Sequence, residues 1–342
     1  MRKTLFVSML ILASIVACHK NDGPPIDCDR DTLYKVTTVM DIEGVTGGMA
    51  IADDGSIFYN VNNKIYKIKG RHKSLFAGGE AGFNDGSGVS ARFNDLGRMA
   101  IDADNNLYVV DKNNHRIRKI TKYGNVSSMV FSYSRSFRDP SGQIQVIPDT
   151  ISDLKDIADL NVKGKHLYIA SYTGHIIVDA LVDYNAVQCR LDSSNYLSRG
   201  FRLYNNSFRS LDITANEKFL YWGNMFGIYK LDLATTIVTT AQYYDNQFVN
   251  FVLGEADSVV YKPRLDKCVI DRMSLATETD SLIAGQLNNS HTNEPHPSID
   301  GIGTKASFNH IHFIKKKKNC LYIAEGNITD NLGAKIRKMS IP

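Results

Sequence analysis

The sequence predicts an all-β fold: a six-bladed β-propeller of four-stranded antiparallel blades. Two observations lead to this prediction. An apolar strand, an acidic or glycine-bearing turn and an aromatic-rich strand recur six times along the chain, and residues 81–121 and 284–339 are longer copies of one unit. A lone meander cannot bury both of its faces, and repeats at this spacing are typical of solenoids and propellers.

The six units follow one another through the whole chain. They comprise residues 48–60, 99–110, 157–170, 211–223, 249–262 and 310–324. The first strand of each unit is apolar and is expected to line a shared axis. The second carries Tyr or Phe, as expected of an inner strand that packs on both faces. Third strands are predicted at residues 64–68, 116–120, 175–178, 227–231, 267–271 and 335–339.

The last unit has three predicted strands and is followed closely by Pro342. Residues 34–40 precede the first unit and read as an extra strand. We therefore expect this N-terminal strand to complete the last blade and close the ring, because radial closure hides the edges of the sheets.

Three segments of the second unit carry a specific resemblance. Residues 82–93 (GFNDGSGVSARF), 107–111 (LYVVD) and 114–119 (NHRIRK) closely resemble the NHL-repeat family of β-propellers. The copy at 284–339 is looser, with Glu325 in place of Asp111. The resemblance implies that the turn containing Asp111, Asn114 and His115 is structural, since such turns recur from blade to blade without activity.

The N-terminus reads as a targeting segment. Arg2 and Lys3 precede an apolar stretch at 5–16 that is too short to span a bilayer, and Ala17 is followed by Cys18. This resembles a bacterial lipoprotein signal; the alternative is an ordinary signal peptide that contains Cys. We predict a signal peptide at 1–17, a palmitate-bearing Cys18, a flexible tether at 18–33 and one propeller domain at 34–342. Residue 19 is His and not Asp, and in the lipoprotein sorting rule of enterobacteria this favours the outer over the inner membrane. We therefore predict the outer membrane of a Gram-negative bacterium.

Composition excludes some classes of function. The formal charge is +4, and it falls to +2 without Arg2 and Lys3, which argues against a nucleic-acid partner. The sequence contains no nucleophile elbow, zinc-protease motif, P-loop or dinucleotide fingerprint. Beyond Cys18, the pairing of the remaining cysteines stays open: Cys28, Cys189, Cys268 and Cys320.

Three long connections depart from the repeat: residues 131–153, 192–210 and 286–305. Loops of this kind carry variable chemistry on a fixed scaffold. The first two are rich in aromatic and basic residues, which stack on sugar rings and donate hydrogen bonds. The candidate ligand-binding residues are Tyr133, Arg135, Arg138, Tyr196, Arg199 and Tyr204. The expected partner is a glycan or a protein.

Metal chemistry is the alternative, with calcium or zinc as the ion, whereas the main prediction needs no cofactor. Weak metal candidates are His291, Glu294, His296 and Asp300, and polar residues near the predicted axis are Asp102, Asp159, Asp212 and Asn250. The loops at Asp85 and Asp300 are read as inter-blade turns rather than calcium sites. Residues 315–318, four lysines, are read as a solvated hairpin, with anionic lipid or polysaccharide as the other reading.

The sequence therefore favours a non-enzymatic binding or scaffold propeller on the bacterial cell envelope. The alternative function is a metal-dependent, lactonase-like hydrolase or lyase with its site at the axis. The resemblance supports keeping this alternative, because some NHL-type propellers are lyases with an axial metal. Gluconolactonase-like propellers use a Glu, Asn and Asp set around a divalent ion, and no such set can be assigned here.

Overall fold

A computed structural model describes the protein at residues 28, 33–44, 46–129, 131–138, 143–151, 157–171, 176–180, 187–188, 209–224, 227–235, 238–243, 250–254, 257–265, 267–287, 297–326 and 333–342. This part is built from β-strands and three short 3-10 turns, at Gly88–Ser90, Lys112–Asn114 and Gly303–Lys305. No helix within these ranges is long and apolar enough to cross a bilayer.

The strands of the first half of the chain begin with one strand ahead of the first unit, β1 (Lys35–Ile42). The first four-stranded sheet contains β2 (Met49–Ile51), β3 (Ile57–Val61), β4 (Lys64–Lys69) and β5 (His72–Gly78). The second contains β6 (Gly86–Ser87), β7 (Leu96–Ile101), β8 (Leu107–Asp111), β9 (Arg116–Ile120) and β10 (Asn125–Ser128), with β6 added outside β10.

Two three-stranded sheets follow. One contains β11 (Phe131–Arg138), β12 (Ile144–Ile151) and β16 (Val187–Gln188); the other contains β13 (Ile157–Lys163), β14 (His166–Ser171) and β15 (Ile176–Ala180). The strand β16 pairs in parallel with β11, and not with β15.

The remaining sheets are four- and five-stranded. One contains β17 (Ser210–Ile213), β18 (Phe219–Gly223), β19 (Gly227–Asp232) and β20 (Val238–Tyr243). The next contains β21 (Val252–Leu253), β22 (Val259–Arg264), β23 (Val269–Ser274) and β24 (Asp280–Ala284). The last combines β25 (Gly301–Ile302), β26 (Ile311–Lys317), β27 (Cys320–Glu325) and β28 (Ala334–Ser340) with β1.

Small antiparallel sheets of an all-β propeller are therefore confirmed, but the count of six four-stranded blades is wrong. Among the described residues, five sheets have four or five strands and form complete blades. The unit predicted at 157–170 forms a sheet of three strands. The physical reason is that β16, which follows β15, pairs with β11 instead of extending its own blade.

The connection predicted at 131–153 is a β-hairpin, and this corrects the reading of it as a loop. Eight residue pairs join β11 to β12, from Phe131–Ile151 to Arg138–Ile144. Apolar and polar residues alternate along FSYSRSFR, which is the period of a strand. A turn-forming Asp139–Gly142 stretch, DPSG, lies between the two strands in sequence. The alternation and the turn-forming residues together indicate a hairpin.

The two ends of the chain meet in the last sheet. The strand β1 runs antiparallel to β28, from the pair Val36–Met339 to the pair Ile42–Ala334. A disulfide bond joins Cys28 to Cys320, and their Cα atoms are 5.7 Å apart. This pairing was left open by the sequence. Cys268 is buried, and its thiol donates to the carbonyl of Leu265 at 3.7 Å.

The core lies between neighbouring sheets. Each apolar cluster joins two successive sheets; one, for example, packs Phe93, Leu96 and Val109 against Phe58 and Ile65. The inner strands follow the same order around the axis, with β26 against β2. This arrangement buries both faces of the sheets that contribute to these clusters, which a single meander cannot do.

Candidate ligand-binding face at the axis

The predicted ligand-binding residues fall in two groups. Tyr133, Arg135 and Arg138 lie on β11, for which the structure describes the backbone pairing with β12 but not the side chains. The others, Tyr196, Arg199 and Tyr204, lie outside the described residues. The ligand-binding role of both groups therefore remains a prediction. Tyr133, Arg135 and Arg138 lie on a strand rather than in a loop.

The four weak metal candidates separate in the same way. His291, Glu294 and His296 lie outside the described residues. The carboxylate of Asp300 accepts hydrogen bonds from Arg337 at 2.8 Å and from the backbone and hydroxyl of Thr38 at 3.0 and 2.9 Å. Asp300 thus holds β1 and β28 together. In the described ranges, His, Cys, Asp and Glu form no group of three able to hold a metal ion.

In the second unit, Arg118 binds Asp85 as Arg337 binds Asp300 in the last sheet. This buried guanidinium donates to Asp111 at 2.7 Å and to Asp85 at 2.6 Å, and it also donates to the carbonyls of Arg92 and Asn84. Burial raises the pKa of Asp111. Hydrogen bonds from the Asn114 side chain and the Asn94 N–H, together with the hydrogen bond and charge of Arg118, offset this only in part. Removing one partner of such a buried ion pair leaves the other charge buried and unpaired, which is strongly destabilising.

The last sheet repeats these contacts at matching positions. Arg337 donates to Glu325 at 2.7 Å and to the carbonyls of Ser307 and Ile299. Thus the two arginines bind their loops in the same way, although Glu replaces Asp in the second copy. The loops at Asp85 and Asp300 act as inter-blade turns in this structure, with both carboxylates engaged by arginine.

The turn after β8 is structural, as expected. Its Asn114 side chain donates to Asp111 at 2.9 Å and to the carbonyl of Gly82 at 2.8 Å. His115 follows in the left-handed region with φ of 53°, which closes the turn. His115 is therefore the end of a turn.

The predicted axial residues mostly cap backbone groups of neighbouring inner strands. Asp159 accepts from the backbone N–H of Leu160 at 2.9 Å and of Leu211 at 3.0 Å. Asn250 accepts from the N–H of Ile314 at 2.7 Å. These contacts satisfy donors that have no partner strand on the axial side. Asp102 instead closes the β7–β8 turn, where it accepts from Asn106 and Tyr108.

Asp212 belongs to one layer around the axis. Each of six inner-strand residues lies opposite an aromatic residue of its second strand, and the register places them at equivalent positions: Ala50, Ala100, Asn161, Asp212, Val252 and Lys315. Asp212 accepts from Asn161 at 2.9 Å and from the N–H of Leu253 at 2.8 Å. Burial raises the pKa of Asp212, despite the hydrogen bonds from the N–H groups of Leu253 and Ile213 and the charges of Lys315 and Lys163.

Basic side chains lie at the end of the axis where the inner strands begin. We call this end the long-loop face, because β7, β13 and β26 begin there after the connections between sheets. The guanidinium of Arg98 lies 4.8 Å from the centre of the Phe313 ring. The rings of His310 and His312 are 5.9 Å apart, and His312 contacts the carbonyl of Gly326 at 2.6 Å through Nε2.

The protonation of His312 follows from its surroundings. Burial lowers its pKa, the carbonyl of Gly326 raises it, and the nearby His310 and Arg98 lower it further. Since a carbonyl only accepts, Nε2 carries the proton and Nδ1 is the basic nitrogen of the neutral ring. Sequence analysis missed Arg98, His310 and His312; polar residues at the start of apolar inner strands were the available signal.

Comparison with known proteins identifies one sequence repeat and several structures with a similar fold. Residues 93–120 match the family model of the NHL repeat. No curated protein matches the chain in sequence. Among solved structures, virginiamycin B lyase from Staphylococcus aureus is 9% identical, with a TM-score of 0.51 over 90% of this chain and 99% of that one.

Two further structures are similar. A streptogramin B lyase is 11% identical, with a TM-score of 0.53 over 90% of this chain and 98% of that one. A chain of the nidogen/laminin complex is 12% identical, with a TM-score of 0.51 over 74% of this chain and 85% of that one. At these identities the likeness shows the propeller fold alone.

Proposed function

We propose that this chain is a non-enzymatic binding propeller of the bacterial cell envelope that holds an acidic glycan on its long-loop face. The observation that carries the proposal is the guanidinium of Arg98 at that end of the axis, which lies against the Phe313 ring and close to His312. Arginine donates charge-assisted hydrogen bonds to carboxylates and sulfates. We expect aromatic and basic residues of the 131–153 and 192–210 connections to contribute further contacts to the ligand.

The remaining part of the proposal concerns the ring of sheets. The three-stranded sheet β13–β14–β15 lies between two of the complete blades, because its apolar residues pack with both the second and the fourth units. The strand β1 closes the ring as the outer strand of the last blade. In support, Thr38 on β1 contacts Asp300 in the same way that Ser128 on the outer strand β10 contacts Asp85.

Attachment to the envelope rests on the N-terminal sequence. Residues 1–17 are the lipoprotein signal, Cys18 carries the acyl chains, and the outer membrane is the location. No cofactor is needed for this function. The disulfide between Cys28 and Cys320 supports export, because such bonds persist in oxidising compartments.

Binding is tested with acidic and matched neutral glycans on an array, followed by calorimetry on the hits. Arg98→Gln is expected to weaken binding of the acidic glycan by about tenfold, since a hydrogen bond to a charged group contributes roughly 1.5 kcal/mol or more. Arg71→Gln, an exposed arginine outside this face, is the matched control. Equal binding of neutral glycans, or no effect of Arg98→Gln, contradicts the proposal; selective binding of an acidic protein points to the protein partner instead.

A lyase is the second candidate, favoured by His312. Its neutral imidazole lies at the end of the axis, and a neutral imidazole is a general base near neutral pH. One similar structure is a catalytically inactive histidine-to-alanine variant of the Staphylococcus aureus virginiamycin B lyase with quinupristin, at 9% identity. Cleavage of quinupristin with added divalent ion, abolished by His312→Ala and retained by His72→Ala, is the expected result for a lyase. An intact substrate after prolonged incubation excludes this reaction.

A further inference from the structure

The disulfide places the N-terminal segment beside a group of lysines. Cys320 is the first residue of β27, and it pairs across the β26–β27 hairpin with Lys317. Cys28 and Cys320 both belong to the apolar cluster between the last sheet and the first. The covalent bond therefore ties the chain ahead of β1 to the hairpin that contains residues 316–318.

Basic residues of the first sheet add to this hairpin. Lys69 and Arg71 flank the β4–β5 turn and are exposed, as is Lys318. Lys317 pairs with Asp53 at 2.7 Å, and Lys318 also acts on Asp53 through its charge. The charge of Lys69 reaches the adjacent Asp54. We call Lys69, Arg71, Lys316, Lys317 and Lys318 the basic face.

The basic face lies at the opposite end of the inner strands from the long-loop face. The β26–β27 turn is at the end of β26, whereas His310 and His312 lie at its beginning. A strand of this length separates the two groups along the inner wall of the propeller. A partner bound to one face therefore leaves the other face exposed.

The tether is short. Ten residues lead from Cys18 to Cys28, and a chain of that length spans at most about 35 Å when fully extended. A lipid anchor at Cys18, which is part of the proposed function, would thus keep the Cys28–Cys320 bond near the bilayer. The part of the protein nearest to that bond is the basic face.

We propose that the basic face docks on an anionic lipid surface and that the long-loop face points away from the membrane. Lysine and arginine near a negatively charged leaflet are attracted to it within a Debye length. The lipid chains hold the protein at the membrane, and the basic face sets its orientation. This inference rests on the proposed anchor, and it assigns to residues 316–318 a role beyond that of a solvated hairpin.

The test measures which lysines the membrane covers. The full chain, purified from membranes, is placed in phosphatidylcholine vesicles with or without phosphatidylglycerol and treated with a membrane-impermeant acylating reagent. Mass spectrometry then quantifies labelling at each lysine. On anionic vesicles, Lys69, Lys316 and Lys318 should be labelled roughly threefold less than in detergent, and high salt should restore labelling because it screens the attraction. Lys64 and Lys112, at the turns that begin β4 and follow β8, should be labelled equally in both.

Charge reversal provides the matched comparison. In Lys316→Glu/Lys318→Glu, Lys69 should lose its protection while the protein stays on the vesicles. In Lys64→Glu/Lys112→Glu, the protection of Lys69 should persist. Equal labelling of the two faces on anionic vesicles overturns the proposal, and so does protection of Lys64 and Lys112 in place of the basic face.

The anchor is measured separately on the same sample, from the mass of the peptide that contains Cys18. An unmodified Cys18 refutes the lipid anchor. In that case, protection of the basic face on anionic vesicles still supports the docking surface, and failure to bind those vesicles overturns it. A lipid-modified Cys18 with no protection of the basic face retains the anchor and refutes the orientation.

Discussion

Arg337 donates a 2.8 Å hydrogen bond to Asp300, and this contact determines the role of a residue that the sequence offered as a metal ligand. The same guanidinium binds the fully buried carboxylate of Glu325. One arginine therefore joins an inter-blade loop to two strands of the last sheet. Arg118 does the same in the second sheet with Asp85 and Asp111.

Loss of Arg337 should therefore be costly. Arg337→Met is expected to lower the free energy of unfolding by about 3 to 5 kcal/mol, because it leaves the charge of Glu325 buried and unpaired. Urea unfolding followed by fluorescence measures this, since Trp222 is the single tryptophan and is buried. The double variant Arg337→Met/Glu325→Leu should recover part of the loss. Arg71→Met should have little effect, and a loss no larger than that of Arg71→Met would contradict the structural role.

Gly48 marks a close approach between the first two inner strands. A Cβ atom there would lie 2.5 Å from the carbonyl oxygen of Gly97 and 2.8 Å from the backbone nitrogen of Met99. Gly48→Ala should therefore destabilise the protein by about 2 to 3 kcal/mol, as overpacking against backbone does. At Gly79 the nearest atom is Nη1 of the flexible Arg92 side chain at 3.1 Å, so Gly79→Ala is the control. Equal melting temperatures for the two variants would refute this account.

The disulfide should contribute to stability through the unfolded chain. Cys28 and Cys320 are 292 residues apart, so the bond restricts a very large loop. Cys28→Ser/Cys320→Ser is expected to lower the free energy of unfolding by about 3 to 5 kcal/mol. Cys268→Ala provides a comparison that leaves the bond intact. Peptide mapping without reductant should recover Cys28 linked to Cys320, and a different pairing would rule the bond out.

Stability should fall in mild acid because of His312. Its pKa is lowered in the folded protein, chiefly by burial, so the unfolded chain binds a proton more readily. The stabilising contribution is present above the ordinary value of 6.5 and is lost as the pH falls below it. Arg98 and His310 face the ring and oppose its protonation.

Melting temperatures between about pH 8 and about pH 5 measure this loss, a range in which histidine is the side chain that ordinarily titrates. His312→Gln should flatten the acid side of the profile. His72→Gln, on an exposed residue at the start of β5, should leave the profile unchanged. A profile that is the same for the wild type and His312→Gln would contradict the assignment.

The local pattern of apolar and polar residues was sufficient to predict most of the strands. In the Met99–Val110 stretch and the equivalent stretches of other units, alternation and turn residues identify an inner hairpin, because the period of two is a property of consecutive residues. The NHL-like turn at Asp111 was interpreted correctly for the same reason. The β11–β12 hairpin departs from the repeat of the blades, so its alternation alone does not say which strands pair.

Contacts between distant residues required the folded chain. The bond between Cys28 and Cys320, the ion pair between Asp300 and Arg337 and the grouping of Arg98 with Phe313 each join residues that are far apart in sequence. Residue types restrict which partners are chemically possible, but the ring of sheets selects among them by bringing inner strands and chain ends together. Sequence period thus specifies each hairpin, and the packing of one sheet on the next specifies which carboxylates are structural and where basic side chains converge.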